Sequence, residues 1–300
     1  MADPEGRLYI DALLEGGPPG GAVLESAVRP RLLTAARARR RPMAQAPAWA
    51  EPFAGRVAAM DALLGSVAPD DWDKEIVEGW NVQELVAHLA AKDGLLAAVV
   101  GAPVAGPPIV ADDPLGRTAQ LQEHERDRPR ERTREDWRTQ ADALCAHLTG
   151  TAPDTMVEQG GMTAPAMDHL LARMLETWIH TEDAAGVVGV RLPRPLPGHI
   201  HPAADLCVRL LPLTMLLSGM DGSGRAARVT LTGDGGGEWD APLGLGETAS
   251  ATDVHITCEV KDFCFLLAGR GDPTAFPSTI EGDQGLGRDI LLSAPVLSGP

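Results

Sequence analysis

The chain has 300 residues, of which 44% are hydrophobic and 23% charged, a soluble globular balance with length for one large or two ordinary domains. A net charge of −16 and a pI near 4.8 argue against a nucleic-acid binder, which presents a basic face. No apolar run approaches the ~20 residues of a membrane span, and the Met-Ala-Asp-Pro-Glu start lacks a signal peptide's basic and apolar segments.

Residues 1–48 read as an N-terminal extension. Gly16-Gly17-Pro18-Pro19-Gly20-Gly21 breaks any helix, and a basic run from Arg37 ends at Pro42. A flexible, solvated arm is the simplest account. Helical spacing then begins at Pro52, with Phe53, Val57, Met60, Leu63 and Leu64 on one face up to Gly65. After a turn at Pro69-Asp70-Asp71, Asn81 is the predicted N-cap of a second helix. Glu84 stands at the capping-box position, and Trp80 is placed to staple onto Leu85. Leu85, His88, Leu89 and Lys92 share one stripe of that helix, which turns His88 inward.

A Pro/Gly loop covers 103–114. Residues 115–149 form a third, highly charged helical region whose buried side is marked by Trp137, Leu144 and Leu148. A fourth helix is predicted over about 165–187, with Met167, Leu170, Leu171, Met174, Leu175, Trp178 and Ile179 as its apolar surface. These helices make a bundle over 49–190. Residues 191–203, containing Arg191-Leu-Pro-Arg-Pro-Leu-Pro197, are a proline-rich linker. A small α+β domain over 204–300 follows. Its predicted parts are a helix at Ala204–Ser218, strands at Arg228–Thr232 and Val254–Cys258, a Gly233–Gly237 turn, a helix at Lys261–Leu267, and closing segments at 276–280 and 285–292. Cys145, Cys207, Cys258 and Cys264 show no C-x-x-C spacing and read as buried reduced thiols, consistent with a cytoplasmic protein.

The chemistry concentrates in Arg173-Met-Leu-Glu176-Thr-Trp-Ile-His180-Thr-Glu-Asp183. Glu176 and His180 lie one helical turn apart on one face, the spacing at which two side chains grip one metal ion. That spacing is common by chance, and His88 on the second helix is the candidate third ligand. Taken singly, His88 is as readily a hydrogen-bonded core histidine. Asp183 is placed to accept an imidazole N–H, cap the helix or pair with Arg173. Trp80 and Trp178 read as packing, and Asp234-Gly-Gly-Gly-Glu238 as a turn without the Lys-Ser/Thr of a phosphate loop.

Gly-Trp-Asn-Val-Gln-Glu-Leu-Val-Ala-His (79–88) and Arg-Met-Leu-Glu-Thr-Trp-Ile-His-Thr-Glu-Asp (173–183), in this order, resemble the mycothiol-dependent maleylpyruvate isomerase family. Three C-terminal pieces, 251–256, 266–272 and 280–286, are similar to that family's tail, so the resemblance spans about 51–295. It implies a DinB-like four-helix bundle followed by a small α+β domain related to sterol carrier proteins. It also implies a divalent metal, zinc above all, on His88, Glu176 and His180, with mycothiol as thiol cosubstrate. In the isomerase a thiolate adds to a cis double bond, the adduct rotates, and loss of the thiol leaves the trans isomer. Relatives carry out other thiol additions and transfers, so the electrophile does not come with the fold.

Three protein ligands leave a coordination position open, as in catalytic metal sites. A carboxylate-bearing electrophile would need a cation. Arg270 matches a family arginine at the cleft between the domains, and Arg117 is a looser candidate whose plainer reading is a surface charge. The bland reading of Arg270 is a helix-end residue capping carbonyls. Two other functions compete. One is a non-catalytic carrier with an apolar tunnel lined by Leu213, Met215, Leu216 and Leu217. The other is a metal–water hydrolase of a thiol conjugate, with Glu182 or His169 as base.

Overall fold

The structure is a computed structural model that describes residues 40–110, 113–248 and 251–298. The extension expected at 1–48 lies, as far as residue 39, outside the described residues.

Helix α1 (Glu51–Leu64) has Pro52 in its first turn and buries Phe53, Val57, Met60, Leu63 and Leu64, the predicted stripe. Ahead of α2 (Val82–Val100) the chain makes a tight hairpin. Ile76 N–H donates to the Trp80 carbonyl (2.7 Å) and Trp80 N–H to the Val77 carbonyl (2.8 Å). Both central residues are left-handed, Glu78 at φ 58° and Gly79 at φ 79°, as a twisted two-residue turn requires. The capping box then closes. Asn81 Oδ1 accepts from Glu84 N–H (3.0 Å) and Glu84 Oε2 from Asn81 N–H (2.9 Å). Turn and cap together fix the angle at which α2 presents His88.

The charged third region is two helices, α3 (Pro114–Glu125) and α4 (Arg130–His147). Pro129 separates them because proline disfavours helical backbone in the residue before it. Helices α1, α2, α4 and α5 (Ala166–Val188) make the bundle, and short α3 lies against α2. A hairpin of β1 (Met156–Gln159) and β2 (Met162–Pro165) precedes α5. Its Gly160-Gly161 turn is visible in the sequence, but the flanking residues alternate too weakly to announce strands.

Helix α6 (Pro197–Arg209) begins inside the stretch expected to be linker, because proline is well suited to a helix's first turn. The single helix expected at 204–218 is instead α6 and α7 (Leu211–Leu217), bent by 42° at a break before Pro212. No single helix among the described residues is long and apolar enough to cross a membrane. The smaller α+β unit follows: β3 (Ala226–Thr232), β4 (Gly237–Pro242), β5 (Val254–Glu259), α8 (Val260–Leu267), β6 (Thr279–Gly282) and α9 (Gln284–Ser293). The sheet order is β4-β3-β5-β6, with β3 and β5 parallel and both edge pairs antiparallel.

An N-terminal helical bundle thus precedes a smaller mixed α+β domain, and one continuous apolar core runs through both. Trp178 of α5 meets Phe265 of α8 edge-on, ring centroids 5.2 Å apart. Lys261 reaches Glu182 at 3.3 Å beside that contact. Helix α5 therefore carries the Glu176/His180 motif and faces the second domain at once.

Replacing Asn81 by Ala removes an N-cap side chain and should lower stability by about 1 kcal/mol, read as a shift of the urea midpoint with unchanged slope.

Candidate metal centre

His88 from α2 and Glu176 and His180 from α5 converge. Each offers one ligand atom, and these atoms all lie within 4.8 Å of one another. His88 Nε2 is 2.6 Å from Glu176 Oε1, and the two imidazoles meet edge to face with centroids 5.3 Å apart. The ring of Trp80 packs against that of His88, with centroids 4.8 Å apart.

Each histidine has its other nitrogen occupied. His88 Nδ1 lies 3.1 Å from Thr118 Oγ1, on α3, and His180 Nδ1 lies 3.2 Å from Asp183 Oδ2. His88 Nε2 is engaged by Glu176 Oε1; an ion that took both Nε2 lone pairs would leave Nδ1–H donated to those oxygens, the arrangement by which proteins orient metal-binding histidines. Thr118 stands thirty residues from His88 on a separate helix, and no spacing rule could have found it. Asp183 takes the first of its three expected roles.

Glu176 is held by cations. Arg173 Nη1 donates to its Oε2, and Lys92 Nζ is 3.5 Å from Oε1. Arg173 is almost wholly buried, and its Nε donates to Asp93 Oδ1 at 2.8 Å. The other Asp93 oxygen accepts from Trp137 Nε1 at 3.1 Å. The pairing of Arg173 with Asp183 does not occur. Buried Asp93 went unnoticed in the sequence because it sits in an unremarkable Lys-Asp-Gly.

Burial by itself would raise the Glu176 carboxyl, but Arg173, His88 and Lys92 outweigh it and hold the group well below the usual carboxylate range. Asp93 is raised by complete burial against the opposing pull of Arg173 and Trp137. Burial lowers His88 to about 4, despite the hydrogen bond to Glu176. At neutral pH the triad thus offers a neutral His88 and an ionised Glu176, the forms that bind a metal.

Arg270, from the α+β domain, donates through Nη2 and Nε to Asp183 at 2.8 and 3.3 Å, and through Nη1 to the Ala268 carbonyl. It therefore bridges the domains onto the carboxylate that orients His180. Arg117 is no surface charge. It is buried, and its guanidinium donates to the carbonyls of Ala105 and Pro107 and to Gln120. Those carbonyls belong to a proline-rich loop that has no ladder to satisfy them.

The hydrolase and carrier residues are used otherwise. His169 Nε2 lies 3.2 Å from the Val157 carbonyl of the β1–β2 hairpin. Glu182, two residues past His180 and so on another face of α5, meets Trp178 and Lys261. Met215 is buried, but Leu216 and Leu217 are 57% and 55% exposed, so these side chains do not line one tunnel. All four cysteines are free and buried.

A family model described as the mycothiol maleylpyruvate isomerase N-terminal domain matches residues 53–185, the stretch that contains the whole triad. Residues 53–185 are thus homologous to the N-terminal domain of the mycothiol maleylpyruvate isomerases. Two uncharacterized proteins from strains of Mycobacterium tuberculosis are each 25% identical over 222 residues, covering 70% of this chain and 80% of each relative. Crystal structures of the mycothiol-dependent maleylpyruvate isomerase and of a histidine-to-alanine mutant align at TM-score 0.49, with 20% and 19% identity, over 75% of this chain and 90% of theirs. The triad and the domain match together support a metal-dependent enzyme.

The shifts of His88 and Glu176 imply an acid limb in stability. The unfolded chain protonates His88 near the ordinary 6.5, whereas the native chain does so only near 4, so stability falls as pH drops through that window. Glu176, with its depressed native value, stabilises fully above the unfolded carboxyl range, and that contribution is lost as pH falls below it. Chelator-treated protein should lose on the order of 3 kcal/mol from the His88 shift between pH 6.5 and 4. In His88→Asn that part of the slope should vanish, as measured by denaturant unfolding across the range.

Proposed function

We propose that the protein uses a small-molecule thiol, mycothiol in our reading, to isomerise or S-conjugate an electrophilic substrate bearing a carboxylate. His88, Glu176 and His180 would hold a divalent ion, zinc by preference, although nickel, iron and cobalt accept the same donor set. The observation that carries the reading is the convergence of three donors, with each imidazole's second nitrogen already engaged by an orienting oxygen. A carrier of apolar ligands has no use for that arrangement. When bound, such an ion lowers the pKa of a coordinated thiol and so favours the nucleophilic thiolate at neutral pH.

The protein's own part is positional and electrostatic. Thr118 and Asp183 set the ring orientations of His88 and His180, and Arg173 keeps Glu176 ionised inside an apolar bundle. Trp80, seated by the Glu78-Gly79 turn, packs beside His88 and limits water there. Arg270 closes the site from the second domain. Its side chain is 30% exposed, so it holds Asp183 while turning positive charge toward an anionic substrate. A cytoplasmic location, where thiols stay reduced, goes with this reading.

Protein purified without chelators should contain about one equivalent of zinc or a similar ion, and His88→Ala, Glu176→Ala and His180→Ala should each lose it. Asp183→Asn should retain the site with metal affinity about 10- to 100-fold weaker, measured by chelator competition. Wild type should consume an α,β-unsaturated acid only with thiol added. A wild type with no metal under gentle preparation would sink the proposal.

A further inference from the structure

Three cations surround the cluster, and they differ in how firmly they are held. Arg173 is buried against Asp93 and Glu176. Arg270 is bound through two nitrogens to Asp183. Lys92 stands only 3.5 Å from Glu176 Oε1, its one carboxylate partner among the described residues, and makes no hydrogen bond there. Lys92 lies one turn beyond His88 on α2, so its ammonium reaches the same oxygen that His88 Nε2 contacts.

The Lys92–Glu176 edge is solvent-accessible, as is Arg270 on the side of the second domain, 30% exposed. The side chains of Lys92 and Glu176 are 21% and 23% exposed, against 1% for His88 and 0% for Asp93. A small molecule can therefore reach Lys92 and Glu176 from solvent.

Charge counting sharpens the point. Arg173, Arg270 and Lys92 are together balanced by Asp93, Asp183 and Glu176, with Glu176 shared between Arg173 and Lys92. A divalent ion on Glu176 would compete with Lys92 for one carboxylate and repel its ammonium. Lys92 then becomes the cation with no internal counter-charge, on a flexible stem beside the open position.

We propose that Lys92 is a specificity-determining residue: it binds a carboxylate of the incoming electrophile beside the metal centre and so selects anionic over uncharged substrates. This rests on the metal-site reading above. Arg270, already bound to Asp183, then acts chiefly by positioning His180.

The test uses full-length protein loaded with one equivalent of zinc, titrated calorimetrically with fumarate and, separately, with its uncharged diamide. Wild type should prefer fumarate. Lys92→Gln should bind fumarate about 10-fold more weakly, leave diamide binding unchanged, hold zinc at least as tightly as wild type, and melt like wild type. Lys92→Arg should recover most of the fumarate affinity. Unchanged fumarate binding in Lys92→Gln would overturn the assignment. So would lost zinc affinity in that variant, since Lys92 would then only be holding Glu176. A wild type that takes up no zinc fails at the earlier step and removes the metal-site reading itself, whereas zinc-loaded protein indifferent to Lys92 removes this inference alone.

Discussion

A guanidinium buried in the middle of a helical bundle has to be neutralised on the spot, and much of this structure follows from how Arg173 is neutralised. Transfer of an unpaired charge into an apolar interior is prohibitively costly. Arg173 escapes the cost by facing Asp93 on α2 and Glu176 on its own helix, while Trp137 of α4 satisfies the far oxygen of Asp93. Three helices are thereby locked in register by one charge. A well-packed apolar core would hold them together at least as stably. What the ionic core supplies in addition is a glutamate kept ionised and aimed at two histidines.

Helix α5 is where this constraint meets the second domain. Arg173 and Glu176 look into the bundle, Trp178 packs on Phe265, Glu182 meets Lys261, and Asp183 ties His180 to Arg270. The bundle-facing and domain-facing residues alternate along about three turns. A displacement of the α+β domain would therefore be felt first at Arg270 and Asp183, and through them at the orientation of His180. The interface is part of the site's geometry, not a passive seam between two units.

Some of this could be read directly from residues. The capping box at Asn81 and Glu84, the inward stripe through His88, and the Glu176/His180 spacing are local patterns, and each lies where expected. The break at Pro129 is also local, but the charge run on both sides of it keeps helical periodicity and masks it. The start of α6 at Pro197 was hidden in the same way, since prolines that suit a first helical turn also suit a linker. Arg117 was misjudged for a different reason. Its partners are backbone carbonyls of a loop, and a carbonyl leaves no mark in the side-chain pattern.

The sequence by itself determined the fold class, the order of a helical bundle before a smaller α+β domain, the inward face of His88 and the Glu176/His180 pair, because periodicity, caps and i to i+4 spacing are short-range properties of the chain; that His88 joins the pair was legible only through the family resemblance. Only the tertiary structure decided which groups support those three. Thr118, Asp93 and Arg270 reach the cluster from a separate helix, from another face of α2 and from the other domain, at sequence separations with no periodic signature, and Lys92, though on the stripe of His88, shows its carboxylate partner only in space. Their roles arise from burial, which makes every charge seek a partner in space, and space is assembled by packing rather than by spacing along the chain.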